Sequence, residues 1–366
     1  MTSKARAFFK RLALLLLALA LAGSFASPAL AKKRPPPPPP PAAPPPEPEI
    51  PVGPPVLAGY IIDSASGYVT YMRTAAALSP VFADGAAVSS ELRAGAASEQ
   101  HQMQQGLIAY AAIVALQDPT FVETVRGFAK HASTRDQMAR YILDNPLYVM
   151  TLDGHDSAAQ RVAAALGSQA LRLNGAADKV QQESLSIQLK QAWSKKPVPD
   201  PAGRLAQVKQ LSSTPIVGPE DLKAQLSGAA SLSTPLPQEP PPETADPAPA
   251  AGGQPVYTEA IARGMAVAAM AVLGKASDAD LQTVTPLLND PGASDCFNIA
   301  KLNLYQCLAV ARPYYEDIYC LGLHAMGDAG KCVMKSIGMP EPAAPPLPPE
   351  LTKAAQPHKV VHRRRH

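Results

Sequence analysis

Apolar residues return at three- and four-residue intervals through much of this chain, the spacing of helices with one buried face. Met103, Leu107, Ile108, Tyr110, Ala111, Val114 and Ala115 trace one such stripe. Phe121, Val122, Val125 and Phe128 trace the next, opened by Asp118-Pro119, a cap followed by proline at the first helical position. Ser133 with Asp136 reads as a capping box before Met138, Tyr141 and Ile142, and Asn145-Pro146 closes that helix. Upstream, Asp63 or Ser64 is placed to cap a helix running through Met72. Downstream, a long pattern from Asp156 passes Val162, Leu166, Leu173, Val180 and Leu185 to Trp193, with Gly167 and Gly175 as points where it kinks or divides. Residues 257–273 are apolar almost all round, which predicts deep burial. Ser277 and Asp280 fit another capping box ahead of Leu281, Val284 and Leu288.

All four cysteines fall between residues 296 and 332. Cys296 and Cys307 lie 11 residues apart, three turns along one helix, which separates them by ~16 Å and forbids a bridge between them. Asp295 is a suitable cap for a helix beginning at Cys296. Arg312, preceding Pro313, is biased away from helical angles, so the chain turns there. Counted outward from that turn, Cys307 matches Cys320 and Cys296 matches Cys332, giving a nested pair of disulfides. A zinc site is the rival, but the intervals fit no Cys-x-x-Cys knuckle. The expected fold class is therefore all-α: an irregular helical bundle with a disulfide-pinned C-terminal helical hairpin, plus disordered Pro-rich segments.

Composition divides the chain further. Lys4, Arg6, Lys10 and Arg11 precede the apolar run 12–22 and an Ala29-Leu30-Ala31 site, so residues 1–31 read as a secretory signal. The run is shorter than the ~20 apolar residues a membrane span requires, so no transmembrane helix is expected after cleavage. Residues 32–56 form a stalk: 14 of the residues from 35 to 55 are proline, which favours an extended polyproline spacer. A helical region spans 57–195. Residues 196–256, rich in Pro, Ser and Gly, read as a linker with one brief helix near Glu220 to Leu226. The Cys-containing helical region covers 257–339, and residues 340–366 form a Pro-rich, then basic, disordered tail.

Charge sits at the ends. Residues 35–358 carry 22 basic and 30 acidic side chains, a net of −8, so the basic balance of the whole belongs to the termini and a nucleic-acid-binding body is not expected. Lys32, Lys33 and Arg34, with Arg363, Arg364 and Arg365, are the candidate contacts to an anionic cell envelope. One loop, Asp153-Gly154-His155-Asp156, concentrates titratable groups: a histidine between carboxylates suits base or metal chemistry, against a plain loop whose Asp156 caps the next helix. No phosphate loop, dinucleotide glycines, G-x-S-x-G, H-E-x-x-H or catalytic Cys–His signature occurs. The sequence thus leads to an exported, periplasmic, non-enzymatic adaptor or scaffold with no catalytic, cofactor or metal residue assigned, and with a partner that is an unknown protein or the envelope. A periplasmic hydrolase of envelope polymers using the 153–156 loop, and a chaperone-like binder, are the alternatives.

Overall fold

The computed structural model describes residues 47–237 and 257–343. Among these residues every extended element is helical, and the single β-bridge joins Pro197 to Pro313. No helix among them is long and apolar enough to cross a membrane. The chain forms α1 (Gly59–Ala76), α2 (Gly85–Ala96), α3 (Gln100–Ala115), α4 (Pro119–Ala129), α5 (Ala132–Asp144) and the long α6 (His155–Lys190). Then follow α7 (Pro201–Leu211), α8 (Glu220–Ala230), α9 (Glu259–Val272), the single turn α10 (Leu281–Val284) and α11 (Pro291–Val310). α12 (Tyr314–Cys320) continues through a π-helical segment, Leu321–Gly327, into α13 (Asp328–Ser336).

α9 lies at the centre, with 12 of its 14 residues buried. α3 packs along it and α1 packs along α3, and at each crossing a glycine sets the separation. A Cβ at Gly264 of α9 would sit 2.5 Å from the Ala111 Cβ, and one at Gly106 of α3 would sit 2.4 Å from the Ser64 carbonyl oxygen. Backbones this close leave no gap for water, so the flanking methyl groups make dense van der Waals contact. One hydrophobic cluster runs from Leu57 to Ile337 and takes in side chains from both helical regions.

The C-terminal hairpin is α11 folded back on α12, the π-helical segment and α13. Cys296 is bonded to Cys332 and Cys307 to Cys320, with Cα atoms 5.6 and 5.8 Å apart. The bridges are nested as the turn at Arg312-Pro313 implies. α11 begins earlier than the sequence reading placed it, at Pro291, because the Asp290 carboxylate accepts from the Gly292 and Ala293 amides.

Other expectations change in the same way, through partners remote in sequence. α1 starts at Gly59 because the Asp278 carboxylate, 219 residues away, accepts the Gly59 amide at 2.8 Å. Ser133 is inside α5 rather than at its cap. Its amide and hydroxyl both donate to Glu47, whose carboxyl they hold below the usual range, while Asp136 pairs with Lys275 at 3.0 Å. α6 is one helix of 36 residues, not divided at Gly167. That glycine instead admits Met339, whose sulfur would lie 2.8 Å from an added Cβ.

The largest difference concerns residues 196–256. Residues 196–237 are folded onto the body; residues 238–256 lie outside the described residues. α7 and α8 bury Val208, Leu222, Leu226, Ala229 and Ala230 in the common core. The Val198 amide donates to the Arg312 carbonyl at 2.8 Å, across the hairpin turn. Arg204 of α7 donates to Asp317 of α12 and to the Leu308 carbonyl, both partners being buried. Burial pushes the Asp317 carboxyl up to about 6 even though Arg204 favours its charged form. Removing one member of such a pair leaves an uncompensated buried charge. Arg204→Ala is expected to lower unfolding free energy by about 3–5 kcal/mol in urea titrations, and Arg204→Met with Asp317→Leu to recover most of it. A loss under ~1 kcal/mol in the single variant would mean that α7 is held by its apolar contacts instead.

Candidate functional site

The 153–156 loop is organised around the start of α6. Gly154 adopts φ +83°, and a Cβ there would meet the Phe121 amide nitrogen at 2.4 Å, so both conformation and space require glycine. Gly154, not Asp156, is the residue flanking the helix start, and Asp156 lies in its first turn, where a carboxylate favours the helix dipole. His155 Nδ1 sits 2.7 Å from the Leu152 carbonyl oxygen and Nε2 3.2 Å from the Asp156 carboxylate. The ring also packs on Tyr257, centroids 5.6 Å apart, which fixes the approach to α9. Both ring nitrogens thus lie beside oxygens of the chain itself, a backbone carbonyl and the adjacent carboxylate. Among the described residues no group of three or more His, Cys, Asp or Glu side chains is gathered to hold a metal ion.

A second polar cluster lies where the π-helical segment meets α11. Lys301 is on the edge of the buried stripe formed by Phe297, Ala300, Leu304 and Leu308. Its ammonium nitrogen donates to the Ser98 hydroxyl at 2.8 Å and lies 3.4 Å from the Ser212 carbonyl; the Ser212 hydroxyl in turn donates to Ala96. Both partners are neutral, and burial pushes the amine down to about 7, opposed weakly by Glu99. Nearby, His324 pairs with Asp328 at 2.8 Å, Asn303 donates to the same carboxylate, and the Tyr71 hydroxyl donates to the Ala325 carbonyl. A cavity of ≈ 20 Å³ touches Ser98, Lys301 and His324 among apolar side chains, room for about one water. This cluster joins the loops at Ser98 and Ser212 to α11 and lies beside the π-helical segment.

A larger space is a cleft of ≈ 360 Å³ between α1, α3 and the segment that leads into α8. One wall carries Tyr60, Asp63, Glu99, His101 and Gln105; the other is Pro215, Ile216, Val217 and Gly218. The second wall is pinned by Gln102, whose side-chain amide accepts from the Ile216 N–H at 2.7 Å and donates to its C=O at 2.6 Å. Lys223 closes one end, 3.1 Å from Asp63 and 3.0 Å from Glu220.

Of the residues the sequence singles out, the four cysteines are brought together as structural bridges. The basic residues Lys32, Lys33, Arg34, Arg363, Arg364 and Arg365 lie outside the described residues. The cleft and the Lys301 cluster have no counterpart in the sequence reading. Lys301 had one visible signal, a lysine four residues after Phe297 and three before Leu304 on an apolar stripe.

Two outcomes test these assignments. The folded Lys301 amine loses its proton near pH 7 and the unfolded one near 10.5. Between those values the unfolded state binds more protons, so stability rises with pH, by at most about 1.4 kcal/mol per pH unit. Lys301→Met should flatten that slope in urea midpoints taken from about pH 7 to pH 9, and an unchanged slope contradicts the assignment. At the 153–156 loop, Gly154→Ala should destabilise by about 2 kcal/mol or more and His155→Ala by about 1 kcal/mol or less. The reverse order would show a loop built for its imidazole. No protein-family model matches this chain, and comparisons with curated proteins and with solved structures return no match.

Proposed function

We propose that this protein is an exported, non-enzymatic helical adaptor of the periplasm, held at the anionic cell envelope by its basic ends. The observation that carries this reading is the disulfide ladder within the hairpin, with Cys320 and Cys332 buried in the common core. Such bridges form and persist in oxidising compartments, and structural disulfides are rare where thiols are kept reduced. The signal-like residues 1–31 point to the same compartment. A body with a net of −8 between cationic ends favours peripheral contact through the ends, by attraction that salt screens. The hydrolase reading has less support, because the imidazole it needs faces the Leu152 carbonyl and the Asp156 carboxylate.

The test is co-sedimentation of the oxidised protein with purified peptidoglycan and with anionic liposomes, at low and high salt, beside a version lacking residues 344–366. Salt-sensitive pelleting that needs the tail is the expected result. Absence of pelleting under every condition overturns the envelope contact.

A further inference from the structure

The cleft between α1, α3 and the 215–218 segment has the size of a small-ligand site, ≈ 360 Å³ against a usual range of roughly 300–1,000 Å³. Its chemistry narrows the ligand. Asp63 is matched by Lys223, and the same lysine is matched by Glu220, which together hold its ammonium above the ordinary value. The Glu99 carboxylate accepts the His101 and Gln102 amides at the start of α3. The cleft and its rim thus carry three carboxylates against one ammonium, a net negative charge that disfavours an anionic ligand.

Hydrogen-bonding capacity nevertheless remains. A carboxylate has about four acceptor sites, and each of these two uses only some of them. Gln105 accepts from the Tyr60 hydroxyl through Oε1, which leaves its NH₂ as a donor. Donors and acceptors are thus intermixed along one wall, the pattern that hydroxyl groups satisfy because each both donates and accepts. The facing wall is apolar and open: Val217 is 79% exposed beside Pro215, and the Tyr60 ring across from it is 43% exposed. These surfaces suit the C–H face of a sugar ring. The Gln102 hold on Ile216 fixes the wall in advance, so binding need not order it.

We propose that this cleft binds a neutral saccharide, its hydroxyls taken by Asp63, Glu99 and Gln105 and its apolar face by Tyr60 and Val217. The site belongs to the folded body and does not depend on the basic ends, so it stands or falls apart from the envelope reading.

The experiment is titration of the oxidised full chain with a panel of neutral oligosaccharides of N-acetylglucosamine, glucose, mannose and galactose, followed by ¹H–¹⁵N NMR and calorimetry. A panel member is expected to bind with Kd of about 1 mM or tighter, with shifts centred on Tyr60, Gln105 and Val217. Tyr60→Ala and the exposed Val217→Asp should each weaken it at least about tenfold at unchanged melting temperature. The proposal is overturned if no panel member saturates, if the shifts map elsewhere, or if both variants bind as the parent does. Tighter binding of a uronic-acid polymer than of every neutral sugar overturns the charge argument and with it the ligand class.

Discussion

A helix apolar on almost every side has little face to turn to water, and α9, with only Glu259 and Arg263 outside the core, is such a helix. It has to be enclosed, and in this fold much of the enclosure comes from the first helical region. α3, equally apolar over its second half, therefore lies against it, with Gly264 and Ala111 in contact and α1 behind. Burying one large apolar side chain contributes ~1.5–3 kcal/mol, so exposing this face would outweigh the marginal stability of an ordinary domain. The two helical regions of the sequence are consequently one core, entered from both ends of the chain.

Around that core the connecting elements are fastened by polar contacts from single side chains. Arg204 fixes α7 to the hairpin turn, Gln102 fixes Ile216, and Lys301 reaches the loops at Ser98 and Ser212. Each uses a side chain to satisfy backbone carbonyls or amides that have no regular partner, which buried loops must otherwise leave orphaned. The Arg204 contact and the disulfide ladder act on the same elements, since Arg204 reaches Leu308 on α11 and Asp317 on α12, both within the loop that the Cys307–Cys320 bridge closes.

Features that depend on near neighbours were legible in the sequence. The stripes of α3, α4 and α9, the Asp118-Pro119 start, the Ser277–Asp280 contact at 2.6 Å and the nested cysteines all follow from spacing along one or two adjacent helices. Features made by distant residues were not. The cap of α1 comes from Asp278, the partner of Ser133 is Glu47, and α7 shows few apolar positions because much of its hold is one arginine. A stretch rich in Pro, Ser and Gly thus reads as a tether while its first forty or so residues are folded. The cleft escaped for the same reason: its two walls are joined by a glutamine acting across 114 residues, and no local pattern encodes that.

The nesting of the two bridges has a topological consequence. The Cys296–Cys332 bond closes a covalent ring across a separation of 36 residues, and the Cys307–Cys320 bond closes a smaller ring inside it. A protease that cuts one peptide bond anywhere between Cys296 and Cys332 opens a ring but releases nothing: the two pieces stay bound through sulfur. The hairpin can be nicked at its turn and still present an intact set of helices to the core, and only reduction separates the fragments.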